Sequence, residues 1–294
     1  MVCKVISSDL ILQAQDKAKI GQLPDYIPWL SQADPNGLAI AFISLDNQLE
    51  SHGNIEQIFP LMSVIKPFVL LYLLEQLGEE LVFKKVGQNP SNLPFNSLDQ
   101  LEIDNGFPRN PMINSGAITL ASLLMGENGF NRCEKLRFWL NKQAGCQLFL
   151  SETILNSVRS LPNFRNQAIV EKLTAKGYLE NPELALDTYN HICCLSGTII
   201  DLVRLGLLLV KGSDLILAKH CQIVREIMTT CGLYEASADF AQKVGLPTKS
   251  GVSGAVLTLI PEQGAIACYS PPLDAQGNSV AGLWLVEHIA SLIC

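Results

Sequence analysis

The sequence predicts an α+β fold: one antiparallel sheet, assembled from both ends of the chain, that carries a long helical insertion. Three observations predict it. An apolar run from Gly37 to Leu45 has the texture of a buried strand. Strand texture returns only near the C-terminus, where Ala255 to Ile260 and Ala265 to Ser270 flank the turn Pro261-Glu-Gln-Gly264. Between these regions the apolar spacing is helical, and strands at both ends with helices between them place the end segments in one sheet. The expected organisation is a single domain over 1–294, with an α/β part of 1–62 plus 245–294 and a helical part of 63–244.

In chain order, residues 6–20 read as an amphipathic helix that Gly21-Gln-Leu-Pro24 ends. Tyr26-Ile-Pro28-Trp29-Leu follows and, by local sequence, reads as a core anchor. The strand Gly37 to Leu45 turns at Asp46-Asn47 into a partner through Gln48 to Ile58. Val64 to Leu77 is a strongly apolar helix stopped by Gly78, and Pro67 requires it to begin close to Ser63, where a missing N–H costs little. Gly87 to Asn110 is rich in Pro, Asn, Ser and Gly and reads as a long irregular loop, of a length that often carries function. Asn114, taken alone, reads as the cap of a helix ending near Gly126. Further helices are expected at 132–144, 166–177, 198–211 and 218–230. Thr198 with Asp201 supplies a cap and Lys211-Gly212 a stop. Ser279 to Ile293 closes the chain as an amphipathic helix. There is no internal repeat, low-complexity tract or flexible linker.

The 294 residues are 48% hydrophobic and 17% charged, the composition of a packed globular protein. A net charge of -7 leaves no general basic footprint for nucleic acid, so the expected partner is a small molecule. The first residues, Met-Val-Cys-Lys-Val-Ile-Ser-Ser-Asp, lack a basic segment followed by a long apolar one. The most apolar stretch, Ile192 to Val210, is interrupted by Asp201 and Arg204 and is too polar to span a membrane. A cytoplasmic location is expected. Nine cysteines are then reduced and buried; none forms a Cys-x-x-Cys pair, and neither a metal nor a cofactor is expected.

The chemistry centres on Phe59-Pro-Leu-Met-Ser63-Val-Ile-Lys66. A hydroxyl and an amine three residues apart lie on one helix face, close enough for the amine to take the hydroxyl's proton, which makes Ser63 a candidate nucleophile and Lys66 its base. The amine must lose its own proton first, and the apolar neighbours Ile58, Phe59, Leu61, Met62, Val64 and Ile65 favour that. The bland alternative makes Ser63 a helix cap and Lys66 a solvated residue. Ser-x-x-Lys and Lys-Ser-Gly each occur once, the second at Lys249 to Gly251 on the C-terminal strand. Ser-x-x-Lys with a later Lys-Thr-Gly is the signature of serine β-lactamases and penicillin-binding proteins. Lys249 is then expected to be the second cation that depresses Lys66, and Gly251 and Gly254 let a substrate approach the strand. A rival pairing of His191 with Cys193 or Cys194 stays open, although their apolar setting favours buried thiols.

Beyond these short motifs the chain resembles the serine-dependent glutaminases, which look like β-lactamases and transpeptidases in fold. The matching segments run in order from Tyr26-Ile-Pro28 through Ser63 to Lys66, Asn89-Pro-Ser91, Phe95-Asn-Ser97, Pro108-Arg-Asn-Pro-Met-Ile-Asn114, Gly116-Ala-Ile118, Arg165-Asn166, Leu186-Asp-x-Tyr189, Thr230-Cys-Gly-Leu-Tyr234, Lys249 to Gly254, and Ser270-Pro-Pro-Leu with Gly277-Asn-Ser279. The resemblance implies hydrolysis of the side-chain amide of L-glutamine to glutamate and ammonia through an acyl-enzyme. It assigns attack to Ser63, proton transfer to Lys66, and proton relay to Tyr26 and Tyr234; Lys249, as the second cation, completes the expected catalytic set. The N–H groups of Ser63 and Val252 become the oxyanion hole, and Asn114, Asn166 and Tyr189 grip the amino-acid head group. It also implies a homo-oligomer, a dimer or tetramer.

One departure stands out. The family has Ser-Glu shortly before Arg-Asn, and that glutamate holds the substrate's ammonium; here the place reads Ser157-Val158, with one extra residue before Arg165. The missing charge-assisted hydrogen bond is worth about 1.5–3 kcal/mol. Glu152 and Glu171 are the nearest acids in sequence. The departure keeps two other readings open: a serine amidohydrolase for an amide without a free α-amine, and a weakly catalytic relative that only binds its ligand.

Overall fold

The computed structural model describes residues 6–293. The reading of the first residues and two of the nine cysteines, Cys3 and Cys294, lie in part or wholly outside that range.

The α+β class is observed. The strands are β1 Ala39–Ser44, β2 Leu49–Gly53, β3 Phe59–Pro60, β4 Phe149–Leu150, β5 Leu195–Gly197, β6 Thr248–Ser250, β7 Ala255–Ile260 and β8 Gly264–Tyr269. Five of them form an antiparallel sheet in the order β2-β1-β8-β7-β6, so N-terminal and C-terminal segments interleave. Ala41 of β1 faces Ser51 on one side and Ala267 on the other, and Ala267 in turn faces Leu257.

The near-continuous apolar strings of β1, β7 and β8 have a direct cause. Both faces of the sheet are covered, so alternate residues feed two separate cores. Ile40, Phe42, Val256, Ile266 and Cys268 pack with the helices Ser8–Ala18 and Val280–Ile293. Ala39, Ala41, Leu257, Leu259, Ala265 and Ala267 face the larger core, which holds the helix Ile199–Lys211 and the rest of the insertion. That helix begins with the expected Thr198–Asp201 capping box and lies flat on the sheet at Gly206. A Cβ there would sit 2.6 Å from Leu257 Cδ1 and 2.8 Å from Ala265 Cβ.

A second sheet of three short strands, β3-β5-β4, was not expected. Strands of two or three residues leave no periodicity to read. It matters because Phe59 pairs with Gly197 and stacks its ring on Tyr269 with centroids 4.3 Å apart, fixing the chain just before Ser63 to the main sheet.

Several helices were also missed. Glu152–Ser160 and Pro182–Cys193 are short and carry only brief apolar stripes, yet both announce their starts. Ser151 and Asn181 cap them through side chains that accept from Ile154 N and Leu184 N, and Pro182 occupies the first turn. Ser237–Lys243 was missed too, and Leu98–Ile103 interrupts the expected loop. No described helix is long and apolar enough to cross a membrane.

Gly206→Val should lower unfolding stability by about 1–3 kcal/mol in urea denaturation, because the new methyl groups meet a sheet that is already in contact. An unchanged midpoint would mean that this helix can lift from the sheet without loss.

Candidate active site

Ser63 follows β3 through a strained turn. Met62 holds φ at 46°, in the left-handed region that non-glycine residues avoid, and leads into a 3-10 turn, Met62–Ile65, continuous with the helix Lys66–Leu77. Ser63 is therefore not a helix cap, and its side chain makes no capping bond. Both it and Lys66 are buried, with Lys66 only 2% exposed, so the solvated reading of the lysine fails as well.

The Lys66 amine donates to two oxygens, the Met112 carbonyl at 3.0 Å and Asn114 Oδ1 at 2.9 Å. Burial pulls its pKa down to about 8. An apolar pocket lined by Ile65, Val69, Pro111, Ala117, Leu120 and Ile192 lies against it. The Asn114 side chain does not cap the helix Asn114–Ser122 that it begins; it is turned into the site instead. Its Oδ1 also accepts from the Tyr189 hydroxyl at 3.2 Å, and its Nδ2 donates to Asn166 Oδ1 at 2.9 Å. Three residues from three helices thus meet on one carboxamide beside the amine. Burial raises the Tyr189 pKa, and the neighbouring Cys193 thiol adds to the effect.

On the opposite wall, Tyr234 also has a left-handed backbone, φ 58°. Its hydroxyl is 3.3 Å from the Ser250 carbonyl and is hydrogen-bonded with Ser63. Burial pushes its pKa up to about 12 against the opposing pull of those hydrogen bonds. Phe95 packs on its ring at 4.6 Å, and the Lys249 amine lies 4.3 Å from the ring centre. Lys249 is fully buried and donates to the carbonyls of Ser250 at 2.6 Å and Gly232 at 2.9 Å.

Burial is the main pull on both amines: it lowers Lys66, and it holds Lys249 well below its ordinary range with the repulsion between the two amines adding to it.

Gly251 brings the strand end against the serine turn. A Cβ on it would lie 2.9 Å from the Leu61 carbonyl and 3.3 Å from Ser63 N. Among the described residues, neither Ser63 N–H nor Val252 N–H has a protein acceptor. Two unclaimed donors therefore sit on adjoining segments, one of them the N–H of Ser63 itself.

Tyr26 stands at the rim. It is 50% exposed, so it is not the core anchor its local sequence suggests, yet Tyr234 lies near enough to add to the burial that raises its pKa. Val158 is half-buried against the core, and its neighbour Ser157 accepts from Trp29 N at 2.9 Å, which places this helix beside the Tyr26 segment. Glu152 and Glu171 are both exposed. The His191 alternative fails: its Nδ1 is bonded to the Asp187 carbonyl at 2.8 Å, and burial pushes the Cys193 thiol up to about 11, the wrong direction for a nucleophile. The parts that sequence reasoning missed are backbone atoms, the Met112, Ser250 and Gly232 carbonyls, which no side-chain pattern announces.

Gly251→Ala should leave a folded protein whose Ser63 reacts at least about tenfold more slowly with a fluorophosphonate, because the strand must move off the serine turn. Labelling at the unaltered rate would show that the two N–H groups do not act together.

The glutaminase family profile matches residues 21–293. A glutaminase of Synechocystis sp. is 47% identical over 279 residues, covering 94% of this chain and 85% of that protein. A glutaminase of Geobacillus thermodenitrificans is 35% identical, with 95% and 93% covered. Among solved structures, a probable glutaminase from Bacillus subtilis complexed with 6-diazo-5-oxo-L-norleucine superposes with a TM-score of 0.87 at 28% identity, covering 97% of this chain and 93% of that one. The β-lactamase-like α+β fold is thus shared along nearly the whole length, and the chain belongs to the glutaminase family.

Proposed function

We propose that this protein hydrolyses the side-chain amide of L-glutamine to glutamate and ammonia through an acyl-enzyme on Ser63. The observation that carries this reading is the Lys66 amine, buried without a carboxylate partner among the described residues, close to neutrality at pH 8, one helical turn from a buried hydroxyl.

A neutral amine has two hydrogens and one lone pair. Met112 O and Asn114 Oδ1 engage the hydrogens, which leaves the lone pair free for the Ser63 proton. The serine oxygen attacks the amide carbon as its proton passes to Lys66. The resulting oxyanion is met by the N–H groups of Ser63 and Val252. The proton then returns to the departing nitrogen by way of the Tyr234 hydroxyl, with Tyr26 at the rim of the same path, and ammonia leaves. Water repeats the sequence on the ester and releases glutamate. The Lys249 amine keeps Tyr234 in place from beneath, and Asn114, Asn166 and Tyr189 hold the substrate's amino-acid end.

Val158 favours a specific modification of this reading. An apolar side chain occupies the position where the resemblance calls for an ammonium partner, and Glu152 and Glu171 are exposed on other turns. Glutamine binding is therefore weak, and amides lacking a free α-amine compete well. The seven cysteines among the described residues, all buried and unpaired, suit a reducing cytoplasm, and the exposed Phe130 and Phe138 on one helix suit a homo-oligomer, dimer or tetramer.

Three outcomes test the reading. Coupled assay of glutamate release should show turnover that Ser63→Ala and Lys66→Ala abolish; turnover surviving Ser63→Ala would overturn the acyl-enzyme. The amine must be unprotonated to act, so kcat/KM should rise with pH up to about 8 and fall about tenfold for each unit below it. A flat profile from pH 6 to 9 would remove Lys66 as the base. Val158→Glu should lower KM for glutamine about tenfold with little change for N-acylglutamine; equal effects on both would leave Val158 without a role in selectivity.

A further inference from the structure

The Met112 carbonyl that meets Lys66 belongs to a peptide unit whose other face is also held. In a trans peptide the carbonyl of one residue and the N–H of the next point in opposite directions. The Met112 carbonyl points at Lys66 Nζ, and the Ile113 N–H of the same unit points at Asn110 Oδ1, 3.2 Å away. The same oxygen accepts from Met112 N at 2.9 Å, and Asn110 Nδ2 donates to the Asn89 carbonyl at 2.8 Å. Asn110 is fully buried, and an oxygen facing two backbone donors with a nitrogen facing a carbonyl leaves only one sensible amide orientation. Gly116 completes the arrangement by admitting the Asn110 carbonyl to within 1.9 Å of where a Cβ would stand.

We propose that Asn110 is a positioning residue for the reaction: through the Met112–Ile113 peptide it sets the direction in which the Lys66 amine presents its lone pair to Ser63. Two oxygens aim that amine. One, Asn114 Oδ1, is a side chain fixed by Tyr189 and Asn166. The other is a loop carbonyl preceding a helix, and a loop peptide is free to rotate unless its N–H is claimed. Asn110 claims it. A hydrogen bond to the N–H also polarises the carbonyl and makes it a stronger acceptor for the amine. The titratable groups that interact with Lys66 are Tyr189, whose ring centre lies 5.8 Å from the amine, Cys193 and Lys249, and Asn110 is hydrogen-bonded to none of them.

The inference rests on Lys66 being the base, and kinetics on the purified full chain separate the two. Asn110→Ala should lower kcat for L-glutamine about 10- to 100-fold with KM changed less than about threefold, because misaiming harms the chemical step and not head-group binding. It should also move the acidic limb of the kcat profile to lower pH, since the ammonium form loses its aimed acceptor. Asn110→Asp keeps an oxygen for both amides. Protonated on its second oxygen it still donates to the Asn89 carbonyl, so it should rescue most of kcat and leave the limb near its original place. Where Asn110→Ala does not fold, Asn110→Ser decides: its shorter side chain cannot claim both amides, and a kcat that stays normal overturns the inference. A folded Asn110→Ala enzyme with normal kcat, or with a raised KM alone, overturns it as well. In either case an inactive Lys66→Ala protein shows that the base assignment survives, whereas an active one shows that the base assignment itself is wrong.

Discussion

The site depends on keeping an amine dry without giving it an acid. Lys66 meets two amide oxygens and an apolar wall, and Lys249 meets two carbonyls and an aromatic ring. A carboxylate in ion-pair contact with either amine would hold the proton on and end its use as a base. The shift of Lys66 from 10.5 to about 8 corresponds to roughly 3 kcal/mol set against the charged form. Because the folded value lies below the unfolded one, the unfolded chain binds more protons between these limits. Stability therefore rises with pH across that window, and below pH 8 the fold carries the full penalty. The two cores on either side of the sheet are what make such a penalty tolerable.

Strain is concentrated at the same place. Met62 and Tyr234, the residue before the nucleophile and the proposed proton relay, both have left-handed backbones. Each such residue costs of order 1–3 kcal/mol and persists only where its surroundings over-determine it. For Met62 those surroundings are the Phe59–Gly197 pairing and the Phe59–Tyr269 stack. For Tyr234 they are the Phe95 ring and the Ser237 hydroxyl, which donates to the Tyr234 carbonyl at 2.7 Å. The small sheet and the Phe95 loop are thus part of the chemistry although neither carries a reacting group.

Much of this was legible in the residues. The buried strands were legible in the apolar runs of β1, β7 and β8, and the pairing of Ser63 with Lys66 and the Lys-Ser-Gly strand pointed to one site. Local grammar misled where tertiary demands prevailed. Asn114 looked like a cap, and its side chain is spent on Lys66; Tyr26 looked like an anchor and lies at the rim. The short strands β3, β4 and β5 were invisible because two or three residues have no period. The carbonyls of Met112, Ser250 and Gly232 had no signature, because every residue has one.

The most direct test is the titration of Lys66 itself, followed by 13C NMR of protein labelled at the lysine ε-carbon and assigned with Lys66→Met. The structure predicts a resonance that titrates near pH 8, with Lys249 also well below the surface lysines. A Lys66 resonance that titrates with the surface lysines near 10.5 would show a charged amine in a wet cleft and contradict the account.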